Sequence, residues 1–118
     1  MKLRFHSNTL RIRLSQSEVA RLGEAGRVEE TVVFPAGRSL AFAVELRPSR
    51  EIAASFDGER IEIAVPADLG RTWIASDQPG IENPDATPKI LIEKDFQCLH
   101  QNPVANPDAF PNPLMDKF

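Results

Sequence analysis

The chain has 118 residues, 42% of them hydrophobic and 26% charged, with a formal net charge of −3; this fits one ordinary globular domain and excludes intrinsic disorder. No apolar run approaches the roughly 20 residues that span a bilayer, and Met1 to Leu14 lacks the apolar core of a secretory signal. Cys98 is the only cysteine, so the expectation is a reducing, cytoplasmic setting with no intrachain disulfide and no membrane partner.

Leu3 and Phe5 alternate with Lys2, Arg4 and His6, and Leu10, Ile12 and Leu14 alternate with Arg11 and Arg13. Both are period-2 patterns of half-buried strands, joined by the turn residues Ser7-Asn8-Thr9. Ser15-Gln-Ser-Glu18 fits a capping box, Val19 and Leu22 follow at helical spacing, and Gly26 suits a left-handed cap, so a helix is predicted near 16–25. Val28 to Phe34 is a β-branched strand ended by Pro35-Ala-Gly-Arg38, and Leu40, Phe42, Val44 and Leu46 mark the next. A five-residue loop pairs Phe34 with Leu40, Val32 with Phe42 and Val28 with Leu46. Ile52, Ala54 and Phe56 lead into Asp57-Gly58, which favours a type I′ turn pairing Phe56 with Glu59, Ala54 with Ile61 and Ile52 with Ile63. Pro66, Leu69 and Trp73 predict a second helix near 66–75. Residues 76–88 read as a loop, and Ile90-Leu91-Ile92 as an inner strand.

The expected fold is α+β. A largely antiparallel sheet of six to seven strands carries two helices on one face, in the order β-β-α-β-β-β-β-α-β. The likeness of Arg11-Ile-Arg-Leu14 to Arg60-Ile-Glu-Ile63 hints at a duplication. Residues 1–99 form the domain. The Pro- and Asn-rich tail, 100–118, is expected to lie against it through Phe110, with Phe96, Cys98 and Leu99 buried.

Charge is uneven along the chain. Residues 1–27 carry a balance of +4 and residues 77–118 one of −4, which fits either an anionic partner for the head or two ends lying side by side. A hairpin of the first two strands puts Lys2, Arg4, Arg11 and Arg13 on one face. That face could take a phosphate, a small anionic ligand or an acidic protein partner. The plainer reading is a solvated face neutralised by Glu29, Glu45 or Glu62. The sequence pI near 5.4 and the lack of interleaved aromatics argue against nucleic acid.

Other chemistry is sparse. Glu30 falls on an apolar face opposite Val44 in the expected register, either as a carboxylate with a perturbed pKa or turned outward by a bulge at Glu29-Glu30. The same register sets Glu29 against Glu45, with Arg11 or Arg13 to relieve the repulsion. Asp95, Cys98 and His100, with His6, offer a carboxylate, a thiolate and imidazoles to a metal, but at no standard zinc spacing. A Cys98–His100 nucleophile requires local folding to bring the pair together. No phosphate-cradling glycine loop is present. The expectation is a non-enzymatic binding or regulatory module without a cofactor. The alternative is a small metal-binding protein or enzyme using Asp95, Cys98 and His100. An open sheet edge at 2–5 or 40–46 leaves room for a homodimer.

Met1-Lys-Leu-Arg4, Asn8, Arg11-Ile-Arg-Leu14, Gly26-Arg-Val-Glu-Glu-Thr31, Val65-Pro66, Trp73, Ser76-Asp-Gln78, Leu91-Ile-Glu-Lys-Asp-Phe96, Cys98-Leu99 and Phe110-Pro-Asn-Pro113 together resemble an uncharacterised family of small bacterial proteins, a domain of unknown function. The resemblance runs nearly end to end and implies a bacterial single-domain protein. It implies no chemistry. His100-Gln-Asn-Pro-Val-Ala departs from the acidic stretch expected there, which weakens a cation-binding role for the tail.

Overall fold

The computed structural model describes residues 1–95. The described residues form β1 (Lys2–His6), β2 (Thr9–Leu14), α1 (Gln16–Ala25), β3 (Arg27–Val33), β4 (Ser39–Arg47), β5 (Ala53–Phe56), β6 (Arg60–Pro66), α2 (Ala67–Ile74), β7 (Gly80–Asn83) and β8 (Lys89–Lys94). The expectations for Phe96, Cys98, Leu99 and the tail lie outside these residues.

Helix α1 forms as its sequence dictates. The Ser15 hydroxyl accepts from the Glu18 amide at 3.3 Å, and the Ser15 amide donates to the Glu18 carboxylate at 2.8 Å. Gly26 closes the helix at φ 75°, a conformation that costs glycine nothing. Helix α2 is one residue shorter at each end than expected, because Pro66 stays extended as the last residue of β6 and serves as a cap without a side-chain bond.

The α+β class holds, but the strands form two mixed sheets rather than one antiparallel sheet. The orders are β1-β2-β8-β7 and β3-β4-β6-β5. Each has a parallel pair at its centre, β2 with β8 and β4 with β6, flanked by antiparallel edges. The extra strand is β7, four residues from the stretch read as a loop, too short to show periodicity. The apolar faces of both sheets share one core, built on Leu10, Ile12, Leu14, Ile90 and Ile92 from one sheet and Phe42, Val44, Ile61, Ile63 and Val65 from the other.

The duplication is visible in the connectivity. The unit β1-β2-α1-β3-β4 is matched by β5-β6-α2-β7-β8, and each unit gives one hairpin to each sheet. Phe5 opposite Leu10 corresponds to Phe56 opposite Ile61. Matching backbone bonds extend the parallel pairs: the Lys89 amide donates to the Asn8 carbonyl at 3.1 Å and the Ala41 amide to the Glu59 carbonyl at 3.0 Å. Leu22 and Trp73 fill equivalent helix positions, and both are buried. The sequence likeness of residues 11–14 to 60–63 is therefore two residues out of step, since burial and pairing align Leu10 with Ile61.

Both longer hairpins are also offset by two residues from their expected register. Val32 pairs with Leu40, Glu30 with Phe42 and Val28 with Val44, because the Phe34 amide closes a tighter turn onto the Arg38 carbonyl at 2.8 Å. Phe56 pairs with Ile61 and Ala54 with Ile63. Here the Asp57 carboxylate accepts from the amides of Glu59 and Arg60, both at 2.8 Å, and this side-chain turn replaces the expected two-residue one. The two-residue turn lies instead at Ser7-Asn8, both at positive φ.

The helices do not lie on a face of a sheet. They follow β2 and β6 directly and pack together at one end of the sandwich, where a Cβ on Gly23 would stand 3.4 Å from Ile74 and the Arg71 guanidinium donates to the Gly23 carbonyl at 3.4 Å. The starts of β2, β4, β6 and β8 meet at the other end.

Candidate functional site

Among the described residues, that other end is open. A groove of about 540 Å³ is lined there by Phe5 and Leu10, their counterparts Phe56 and Ile61, and by Leu40, Ala54 and Pro88. Phe5 and Phe56 remain 64% and 66% exposed. Asn8, Thr9, Ser55 and Thr87 supply the polar groups of the lining, and among the described residues no charged side chain contributes. Val32 and Phe34 continue the exposed apolar surface from the tip of the β3–β4 hairpin, where Val32 pairs with Leu40, while Val33 is exposed on the opposite face of the strand. Contiguous exposed apolar surface of this kind usually marks a contact site, because it costs solvation free energy in the free protein.

Sequence patterning assigned Phe5 and Phe56 to strands but did not bring them together. The available signal was the run Phe5, Leu10, Phe56, Ile61 at the mouths of two hairpin turns, and it acquires meaning only once the hairpins face each other.

The basic strand face is present as geometry. Lys2 stands opposite Arg13 and Arg4 opposite Arg11 in the ladder, so all four share one side. Its neutralising acids are not Glu29, Glu45 or Glu62, which belong to the other sheet. They come from the parallel neighbour: Arg11 bonds Glu93, Arg13 lies 3.8 Å from Glu93, and Lys2 lies 3.1 Å from Asp95. The hydrogen bond from Arg11 holds the Glu93 carboxyl below its ordinary range against the opposing effect of burial. Arg4 has no ion-pair partner among the described residues. The basic head and the start of the acidic tail are thus neighbours within one fold.

The outer face of the second sheet carries its own network. Arg27 bonds Glu45 and Glu62, each at 2.9 Å, Arg47 bonds Glu45 at 2.5 Å, and Arg60 bonds Glu29. Glu29 therefore lies opposite Ala43, not Glu45, and its cations are Arg60 and Arg27 rather than Arg11 or Arg13. The Arg27 hydrogen bond lowers the Glu62 pKa, and Arg47 then Arg27 lower that of Glu45. Glu30 needs no bulge, since the β3–β4 ladder runs through it without interruption. It is half-exposed because β3 is a sheet edge, and it sits 3.6 Å from the Met1 amino group.

The proposed metal set is not assembled among the described residues. His6 is exposed at the end of β1 and Asp95 is engaged by Lys2, while Cys98 and His100 lie outside the described residues. The helices of the described residues include none long and apolar enough to cross a membrane.

Comparison with curated proteins and with solved structures finds no match. A family model does match, over residues 1–114, and by that match the chain belongs to DUF7009, a family of unknown function.

Proposed function

We propose that this protein is a non-enzymatic binding module whose site is the open-end groove, and whose ligand is a small neutral molecule with an apolar body. The observation that carries this reading is the pair Phe5 and Phe56, kept about two-thirds exposed over a groove whose described lining is uncharged. The volume falls within the roughly 300–1,000 Å³ typical of small-molecule sites. Burying the two rings against an apolar ligand recovers solvation free energy. The hydroxyls of Thr9, Ser55 and Thr87 and the amide of Asn8 would orient a polar substituent.

The full chain titrated with the neutral dye N-phenyl-1-naphthylamine tests this. Saturable fluorescence enhancement is expected, lost in Phe5→Ser and Phe56→Ser and kept in Leu69→Ser, which alters an exposed apolar residue on α2. Absence of saturation, or binding that ignores both phenylalanines, overturns it.

The basic strand face supports a second, anion-binding reading on one observation: Arg4 has no ion-pair partner among the described residues. Inorganic phosphate would then bind with an affinity that falls on Arg4→Ala, while dye binding stays unchanged.

A further inference from the structure

Among the described residues, four strands form the sheet edges: β1, β7, β3 and β5. The strand read from sequence at 40–46 is an inner one. Edges are normally blunted, because a row of unpaired amides and carbonyls invites another strand. Strands β5 and β7 are four residues each. Strand β1 carries Lys2, Arg4 and His6 in alternation. Strand β3 is different: it is seven residues long, and beyond Glu30 the run Thr31-Val32-Val33-Phe34 is uncharged, exposed and mostly β-branched. Val33 is 79% exposed.

The phase of the outward hydrogen-bonding groups follows from the hairpin. Phe34 bonds across to Arg38, and at the other end the Leu46 amide bonds the Gly26 carbonyl. Even-numbered residues of this strand therefore face β4, and Thr31 and Val33 direct their N–H and C=O groups away from the sheet. We propose that β3 pairs antiparallel with β3 of a second copy of this chain about a two-fold axis at Val32, joining the two β3-β4-β6-β5 sheets into one.

In this register Thr31 and Val33 of opposite chains exchange backbone bonds, and the two Val32 side chains meet at a non-hydrogen-bonded position. The charge pattern suits a second copy in this register. The acids Glu29 and Glu30 lie only on the N-terminal side of the axis, so the two-fold sets Glu30 beside Phe34 of the other chain. The two Glu30 residues then stand four residues apart along the ladder, roughly 13 Å, beyond the screening length at physiological salt. Moving the axis to Thr31 brings the acids closer. Moving it to Val33 places Pro35, which has no N–H, opposite Thr31 beside the axis, whereas the Val32 axis sets it opposite Glu29, beyond the central bonded pairs.

Light scattering of the full chain gives the mass. About twice 13.1 kDa is expected, falling to the single-chain value in Val33→Lys, which still folds cooperatively because the side chain is exposed in the single chain. In a Cys98→Ser background, Val32→Cys should form an intermolecular disulfide on mild oxidation, since opposed Cα atoms about 4.5 Å apart permit the bond, and Leu69→Cys should not. A mass of one chain at millimolar concentration overturns the proposal. So does a dimer that persists in Val33→Lys, or cross-linking no better from position 32 than from 69. A dimer abolished by Phe5→Ser but not by Val33→Lys also overturns it, by placing the contact at the groove.

Discussion

Leu22 and Trp73 occupy the seventh position of their helices and are buried at one end of the sandwich; Phe5 and Phe56 are the last apolar residues before their turns and stay exposed at the other. All four are large and apolar, and each pair is matched by the duplication. The difference lies in where the chain goes next. Strands β2 and β6 run straight into helices that fold over the core, whereas Ser7-Asn8 and Asp57–Arg60 reverse the chain at once, and no described element follows to cover the rings. Burial of an apolar side chain is thus decided by the connection that follows it as much as by its own hydrophobicity.

The strongest way to break the comparison is to empty the closed end. Trp73→Ala should destabilise by about 3–5 kcal/mol and Leu22→Ala by about 2–5 kcal/mol, read from urea unfolding. A loss near that of an exposed residue would mean that the helix end is not part of the core. The effect on dye binding at the open end should be small where the variants remain folded.

A milder perturbation of the same end acts through the cap. Ser15→Ala removes the acceptor for the Glu18 amide and should cost about 1 kcal/mol. Pro66 makes no side-chain bond at the start of α2, so the other unit has no equivalent weakness.

Acid probes the outer faces, which span both ends. Glu93, Glu62 and Glu45 have folded pKa values below the ordinary 4.5, so the folded state binds fewer protons than the unfolded one through this range. Their contribution is full above pH 4.5 and is lost as pH falls through the lower folded values. Stability measured by urea unfolding should decline as pH drops below 4.5, and Glu93→Gln should flatten that decline. A pH-independent stability from 6 to 3 would remove these pairs from the fold's energetics.

The smallest stability effect belongs to the open end. Phe5→Ser and Phe56→Ser should each change unfolding free energy by no more than about 0.5 kcal/mol, as exposed positions do, while abolishing dye binding. A loss comparable to that of Leu22→Ala would make the phenylalanines part of the core and remove the contrast between the ends.

Helix α1 was legible down to its caps, since Ser15, Glu18 and Gly26 act within a few residues of each other. The core face of each strand was legible too, because alternation marks it. Partner positions were not. A slip of two residues leaves every side chain on the same face, so the apolar pattern of 28–46 and 52–63 fits two registers equally, and the turns at Phe34–Arg38 and Asp57–Arg60 make the choice. The basic face of Lys2, Arg4, Arg11 and Arg13 was legible, but its partners Glu93 and Asp95 were not. They arrive through the parallel pairing of β2 with β8, which joins residues far apart in sequence.

By itself, the sequence determined the α+β class, nearly every element and which side of each strand is apolar, because those features depend on neighbours within one or two turns of chain. Tertiary structure alone decided that the strands divide into two sheets, that the units exchange hairpins, and that Phe5 and Phe56 share a groove. Those outcomes depend on which hairpin meets which, and that choice is made by burial summed over the whole core, where no local signal acts.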